Sequence, residues 1–516
     1  MTIIRPLAIV ASIALFAPLT AGDTFVERAN ALYAQIPASQ RSDRVLLPVI
    51  ANLEPAPRGV DRPEAAALAT TDGPAWSAAE TWANGATQRA SLDALARVAS
   101  ATDARRAMAF GLPYGVQGET IDLIAAGLYT ELGDPPYIAG ARHLYLNRLL
   151  DLQCLVHVEA TRLANEGDVG GAVKVLVDWA LFARQIASRE TVQEMEWGMR
   201  AMTLGFERIR DVLYNDFVGE RKVDTSALRA QMDRLNEDGP LGIDRLSLPR
   251  ADVIGAEQLI AAVMQERGGV REGVLGQTLA KIASSSRPLQ RFSEAARYQA
   301  VAAAHANWFD TTDRLTAVAE DARQRWTLNS FDIRLKQPSA RALLDAQRFA
   351  VLAASLPDPA PLFDLRQRLR VESAGTRMAM AVVGYTVEFR TLPASLPSVR
   401  PFWVQRMEID PFNPDRTPGA RPPFEFFVPV RDTKAQFAAN EVPRPHEMSI
   451  VTSEGNFFKS VPEDQFVLYS WGGNNSDDKA RLVQNTTEVV LGADYLVWPP
   501  IMSLLREHLI ATGQTP

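Results

Sequence analysis

Three apolar stripes follow one another at helical spacing between residues 141 and 217, and nothing else in the chain restricts its possible folds as much. Leu149, Leu152, Val156, Ala160 and Leu163 recur at steps of three and four, which puts them on one face of a helix. Asn165, Glu166, Gly167 and Asp168 interrupt the pattern. Val169, Ala172, Leu176, Trp179, Ala183 and Ile186 then form a second stripe, so the pair predicts a helical hairpin. After a break at 188–191 comes a third: Met195, Met199, Met202, Phe206, Ile209 and Leu213. A helix with one apolar face has to bury it against a neighbour, so the three stack on each other or on adjacent elements. Helical pattern fills most of 23–354, including 251–264, 291–322 and 340–356, and breaks at 54–59, where two prolines and a glycine cannot continue a helix. The expectation for 23–354 is an antiparallel helical array.

The 516 residues are 47% hydrophobic and 22% charged, the usage of a core-forming globular protein with length for roughly two to four domains. One cysteine, Cys154, excludes an intramolecular disulfide, so stability has to come from buried apolar area. Its neighbours Leu150, Leu152, Leu155 and Val156 predict a buried thiol. A formal net charge of -7, with no run of Lys or Arg, excludes nucleic acid as the expected partner. At the N-terminus Arg5 precedes an apolar run over 7–18, and the small residues Thr20, Ala21 and Gly22 follow. That order of charge, apolar run and small-residue exit predicts a signal peptide over 1–22, cleaved after Ala21 or Gly22, and an exported chain, working in the periplasm, in the cell envelope or secreted, with an uncleaved anchor helix as the competing reading. Spanning hydrocarbon takes about 20 apolar residues, and no later run approaches that, so no membrane span is expected in the mature chain.

At 355–364 the character changes. Pro357, Pro359 and Pro361 stand at alternate positions and predict an extended, proline-rich connector between two cores. Residues 365–390 read as one more long helix, stopped by Pro393 and Pro397. Short segments rich in Phe and Val follow, including 424–428 and 466–470, bounded by Pro, Gly and Asn, and these are strand signals. The fold class expected is therefore mainly α with a C-terminal α+β domain over 365–516, a long helix covering a small antiparallel sheet.

The ordered motifs of this last part are a helix carrying Arg377-Met378-Ala379-Met380-Ala381 to Tyr385, then Leu392-Pro393-Ala394-Ser395-Leu396, Asp410-Pro411-Phe412, and Leu468-Tyr469-Ser470 before a loop rich in Gly, Asn and Asp. In that order they resemble the globular domain of the major pseudopilin of type II secretion systems. Three departures separate the chain from a standard filament subunit. The helix carrying Tyr385 lies far from the N-terminal apolar run, the excursion at 431–448 is long, and 479–492 intervenes before Ala493-Asp494-Tyr495. The resemblance implies an assembly or protein-binding role in a secretion- or pilus-like system.

It also implies calcium in the loop after Ser470. Calcium takes six to eight oxygen ligands, and Asn474, Asn475, Ser476, Asp477, Asp478 and Asp494 offer them, with Asp477, Asp478 and Asp494 the expected metal ligands. Asn, Asp, Ser and Gly are also ordinary turn residues, so a solvated turn is the competing reading. For catalysis the sequence offers no motif: His143, His157, His305, His446 and His508 are scattered, and no paired metal-ligating histidines or nucleophile elbow appear. His157 reads as a satisfied core residue, His446 as a loop residue, and Glu190, Glu194 and Glu196 as an exposed helix edge. An exported, noncatalytic protein is the expectation. A cell-envelope hydrolase whose active site is dispersed along the chain is the alternative, and it predicts a pocket where His157 or His305 meets a carboxylate or hydroxyl.

Overall fold

The structure is a computed structural model that describes residues 25–116, 120–283, 294–329, 331–413, 423–433, 444–452, 455–474, 476–484 and 493–514. The expected signal peptide and Asn475 lie outside the described residues. The first half is helical: α1 (Phe25–Ala34), α2 (Ser42–Ile50), α3 (Pro63–Leu68), α4 (Trp76–Ala83), α5 (Ala86–Val98) and α6 (Ile121–Ala125) precede a two-stranded ribbon, β1 (Thr130–Glu131) with β2 (Arg142–His143). Three long helices follow, α7 (Tyr145–Asn165), α8 (Val169–Ile186) and α9 (Val192–Val218), and then α10 (Thr225–Arg234).

The three stripes fold as their spacing requires. Asp168 ends the first break by accepting the Gly171 N–H at 2.8 Å as the N-cap of α8, and Thr191 ends the second by capping α9 through the Glu194 N–H. All six residues of the second stripe and all six of the third are buried. At Gly198 the α8 and α9 backbones come so close that a Cβ would lie 2.4 Å from the Ala187 nitrogen, so only glycine fits. Cys154 is buried and free, as its neighbours predict.

Beyond α10 come α11 (Ala251–Val263), α12 (Glu272–Ala283), α13 (Glu294–Ala304), α14 (Trp308–Thr327) and the short α15 (Ala350–Ser355). Here the expected helices are cut. Asn307 caps α14 by accepting the Asp310 N–H at 2.9 Å, which splits 291–322 in two. Asp345 accepts the N–H groups of Gln347 and Arg348, a local turn that holds 340–349 out of helix and leaves only its end helical.

The long helix α16 (Ala360–Phe389) starts inside the proline-rich segment, with Pro359 as its N-cap and Pro361 in its first turn, positions where a missing N–H costs nothing. It packs along α9, and one hydrophobic core runs from Leu46 to Leu504 across the segment expected to divide two cores. A smaller core gathers α11, α12, α14 and α15 around Leu259, Leu315 and Leu352.

Six strands, β3 (Glu425–Phe427), β4 (His446–Thr452), β5 (Gly455–Val461), β6 (Val467–Ser470), β7 (Leu482–Gln484) and β8 (Asp494–Trp498), form one sheet in the order β3-β6-β8-β7-β4-β5. The sheet is mixed, a correction to the antiparallel expectation. Strand β7 falls within the inserted 479–492 and runs parallel to both β4 and β8, while the other pairs are antiparallel. Three residues make too short a run to register as a strand signal in sequence. Helix α16 covers β6 and β8, and α17 (Ile501–Ala511) returns to pack on α9. The C-terminal end of α9 meets the sheet through aromatic edges: Phe217 lies 5.7 Å from Phe466 and 5.8 Å from Trp498, which stack on each other at 5.0 Å. No described helix is long and apolar enough to cross a membrane.

Candidate functional site

The loop after Ser470 is closed from below by Asp494. Buried at the start of β8, its carboxylate accepts the Ala480 N–H at 2.6 Å and the Asp478 N–H at 3.3 Å. These bonds hold Lys479 and Ala480 at φ of 56° and 54°, a left-handed pair that side chains disfavour. Asp477 accepts the Tyr469 hydroxyl at 2.7 Å and the Lys479 N–H at 2.9 Å. Gly472, at φ 67°, passes so near the Ala493 carbonyl that a Cβ would sit 2.4 Å from it. Burial pushes the Asp494 carboxyl up to about 8 despite its two amide donors, and the charges of Asp477 and Asp478 add to the rise.

The structure thus brings Asp477, Asp478 and Asp494 to one loop. Their oxygen chemistry suits a hard cation, yet among the described residues no three His, Cys, Asp or Glu side chains converge as metal ligands. The arrangement they show is a backbone clamp. Next to it, Asp410 accepts the Phe412 N–H at 2.9 Å and the Ser470 hydroxyl at 2.6 Å, and burial raises its carboxyl to about 6.

A second polar centre lies in the helical part, and the sequence reading misplaced it. Glu194, expected on an exposed edge, is fully buried. It receives the Tyr114 hydroxyl at 2.8 Å, the Tyr145 hydroxyl at 2.5 Å, the Thr191 hydroxyl at 2.9 Å and Arg189 Nε at 2.9 Å. Burial alone would raise its carboxyl, but Arg189, His143 and the tyrosine hydroxyls more than offset that and hold it at about 2. The Arg189 guanidinium lies 4.0 Å from the Tyr33 ring centre and 4.9 Å from that of Tyr114. The signal was available: Thr191-x-x-Glu194 is the capping signature of a helix start, and it turns the glutamate toward the cap rather than outward.

His143 stands in the same centre, with Nε2 3.1 Å from Thr191 Oγ1 and Nδ1 3.4 Å from Glu194. The spacing is that of a nucleophile, base and carboxylate, but the proton runs the other way. Thr191 donates to Glu194, so His143 meets the Thr191 oxygen as an N–H donor and takes no proton from it. Burial also lowers the affinity of His143 for a proton.

The third centre joins α9, α16 and α17. Asp211 accepts Arg506 at 2.6 and 2.8 Å, the Ser503 hydroxyl at 2.5 Å and Arg208. Arg210 pairs with Glu372 at 2.6 Å and donates to the Thr376 hydroxyl, and the Tyr495 hydroxyl donates to Glu372. His157 is fully buried, and both ring nitrogens lack a hydrogen-bond partner, unlike the satisfied core histidine expected. Burial and the nearby Arg208 charge lower its pKa to about 3, which keeps it neutral. His305 accepts the Val351 N–H at 3.2 Å through Nε2 and lies 2.8 Å from the Ala306 carbonyl through Nδ1, a tie between α13, α14 and α15. His446 begins β4 rather than lying in a loop, buried against the Phe427 ring at 4.8 Å.

No protein-family model matches the chain, and neither a curated protein nor a solved structure matches it.

Proposed function

We infer that the chain is an exported, noncatalytic protein that serves a secretion- or pilus-like assembly by binding other proteins, with its C-terminal part arranged like the major pseudopilin. One observation carries this reading. The Asp410-Pro411-Phe412 turn and the Leu468-Tyr469-Ser470 strand end, two motifs of the resemblance separated by more than fifty residues of sequence, meet through the Ser470 to Asp410 hydrogen bond of 2.6 Å beside a sheet covered by one long helix. The inserted strand β7 and the helical body are additions to such a domain. Export rests on the order of residues in 1–22. Calcium belongs to the same reading: Asp477, Asp478 and Asp494 are the residues that would hold it, and its charge would offset the burial, and the smaller repulsion from Asp477 and Asp478, that raise the Asp494 carboxyl.

The sheet offers a surface for assembly at β5, an edge strand on which Phe458 is 82% exposed. A photocrosslinking amino acid at Phe458 is expected to give discrete adducts with pilin-like or secretion subunits in the cell envelope. The same group at Phe309, exposed on α14, serves as the control and is expected to give none. Absence of adducts at Phe458, or equal adducts at both positions, defeats the reading. The hydrolase alternative placed His157 or His305 against a carboxylate or hydroxyl, whereas both His157 ring nitrogens lack a hydrogen-bond partner and the His305 ring meets the Val351 N–H and the Ala306 carbonyl.

A further inference from the structure

A cavity of about 370 Å³ opens between the end of α1, the segment 98–110, the C-terminal turn of α8 and the loop at 240–245. Its two sides differ in chemistry. One is apolar, formed by Leu32, Ile36, Met108 and Phe110. The other carries Arg184, with Arg245 at the rim.

Arg184 is the unusual member. The buried arginines Arg189, Arg208, Arg210 and Arg506 each face a carboxylate. Arg184, also buried, has none within ion-pair distance among the described residues. Its donors go to the Leu241 carbonyl at 2.6 Å, the Gly242 carbonyl at 2.9 Å and the Ser188 hydroxyl. Arg366 also lacks an ion pair, but it stacks on the Trp326 ring at 4.3 Å. Neutral oxygens solvate the Arg184 guanidinium without cancelling its charge, and a buried unpaired cation is costly. Three of its five N–H groups are used, which leaves two for a ligand. Glu190, the acid on the cavity wall, does not fill the role, because its carboxylate accepts the Arg250 N–H at 2.9 Å and faces Arg250 Nε at 3.5 Å. Burial and the Arg245 charge lower the Arg184 pKa to about 10 despite a smaller opposing pull from the Glu237 carboxylate, and a bound anion would act in the same direction as Glu237.

We propose that this cavity binds a small amphiphilic carboxylate, its head group on Arg184 with Arg245 nearby and its hydrocarbon part against Leu32, Ile36, Met108 and Phe110. A planar guanidinium with two free donors matches a carboxylate in fork geometry. The volume falls in the range of small-molecule sites, and inorganic phosphate would leave the apolar side wet. The site stands apart from the C-terminal sheet, so it does not depend on the assembly reading.

The test is calorimetric titration of the purified protein with octanoate, octanamide and inorganic phosphate. Octanoate is expected to bind at least about tenfold more tightly than octanamide, the worth of a charge-assisted hydrogen bond pair, and phosphate not measurably. Arg184→Gln is expected to bring octanoate down to the level of octanamide. If that variant fails to fold, Ala107→Trp, which fills the cavity from a half-exposed wall position, is expected to abolish octanoate binding in a protein that melts like the native one. Equal binding of acid and amide, no binding of octanoate, or unchanged octanoate binding in Ala107→Trp each overturns the proposal.

Discussion

Asp494 shows how one residue's surroundings decide its role. In the unfolded chain its carboxyl titrates near 3.8, and in the fold near 8, so between those values the folded protein holds a proton that the unfolded chain releases. The contribution of Asp494 is therefore fully present below about 3.8 and is lost as pH rises through 8, with a slope on the order of 1 kcal/mol per pH unit. Calcium, if the loop holds it as proposed, would bind the ionised form, so its stabilising effect should grow over the same window. Melting curves of the whole chain in saturating calcium and in chelator are expected to differ by several degrees at pH 8 and to converge by pH 5. Asp477→Asn with Asp478→Asn should close the gap at pH 8. Identical melts of the native chain at pH 8 would leave the loop as the amide clamp it visibly is. Little of this was legible in the sequence, which offers the three aspartates but not that Asp494 is buried beneath the loop, where the 478–480 amides and the short strand β7, which pairs with it through Val483, close over it.

Among the elements, α9 is the one around which the others are placed, and its sequence states only half of that. Its stripe from Met195 to Leu213 is readable because helical spacing repeats, and all six residues are buried where the spacing puts them. The flank outside the stripe carries the charged residues Glu207, Arg208, Arg210 and Asp211. It is buried because α16 and α17, far away in the chain, bring Glu372 and Arg506 to meet it. Charge pairing across 160 to 300 residues leaves no local signal. Gly198 is similar: helix propensity alone favours replacing it by alanine by about 1 kcal/mol. The contact with α8 reverses the sign, because the new Cβ would enter 2.4 Å from the Ala187 nitrogen and 2.8 Å from the Ala183 carbonyl, both backbone atoms that cannot rotate away. Gly198→Ala is expected to destabilise the protein by about 2 kcal/mol or more, read as a lower denaturant midpoint with an unchanged slope. A midpoint at or above the native one would mean that the α8 and α9 backbones separate without cost.

For the whole molecule, the sequence divides the chain at its prolines, while the packing joins it there. Three prolines in alternate positions read as an extended linker, but two of them begin a helix, and only Leu356, Pro357, Asp358 and Pro359 lie between α15 and α16. Across that short link one core continues. Leu365, Leu369 and Val371 of α16 are buried, and Arg210 of α9 neutralises Glu372. A fragment of residues 360–516 would therefore expose the apolar face that α16 turns to α9 and leave Glu372 without its cation, and breaking such a buried pair costs about 3 to 5 kcal/mol. That is a large part of the 5 to 15 kcal/mol by which a typical native protein is stable. The fragment alone is expected to show no cooperative thermal transition. By contrast, a chain cut at a protease site placed within 356–359 should keep both pieces together through gel filtration and unfold in one transition, since the shared core does not depend on the peptide bonds of the link. Separation of the pieces under native conditions, or a cooperative melt of the isolated fragment, would show that the C-terminal sheet and its helix possess a core of their own and that α9 is only their neighbour.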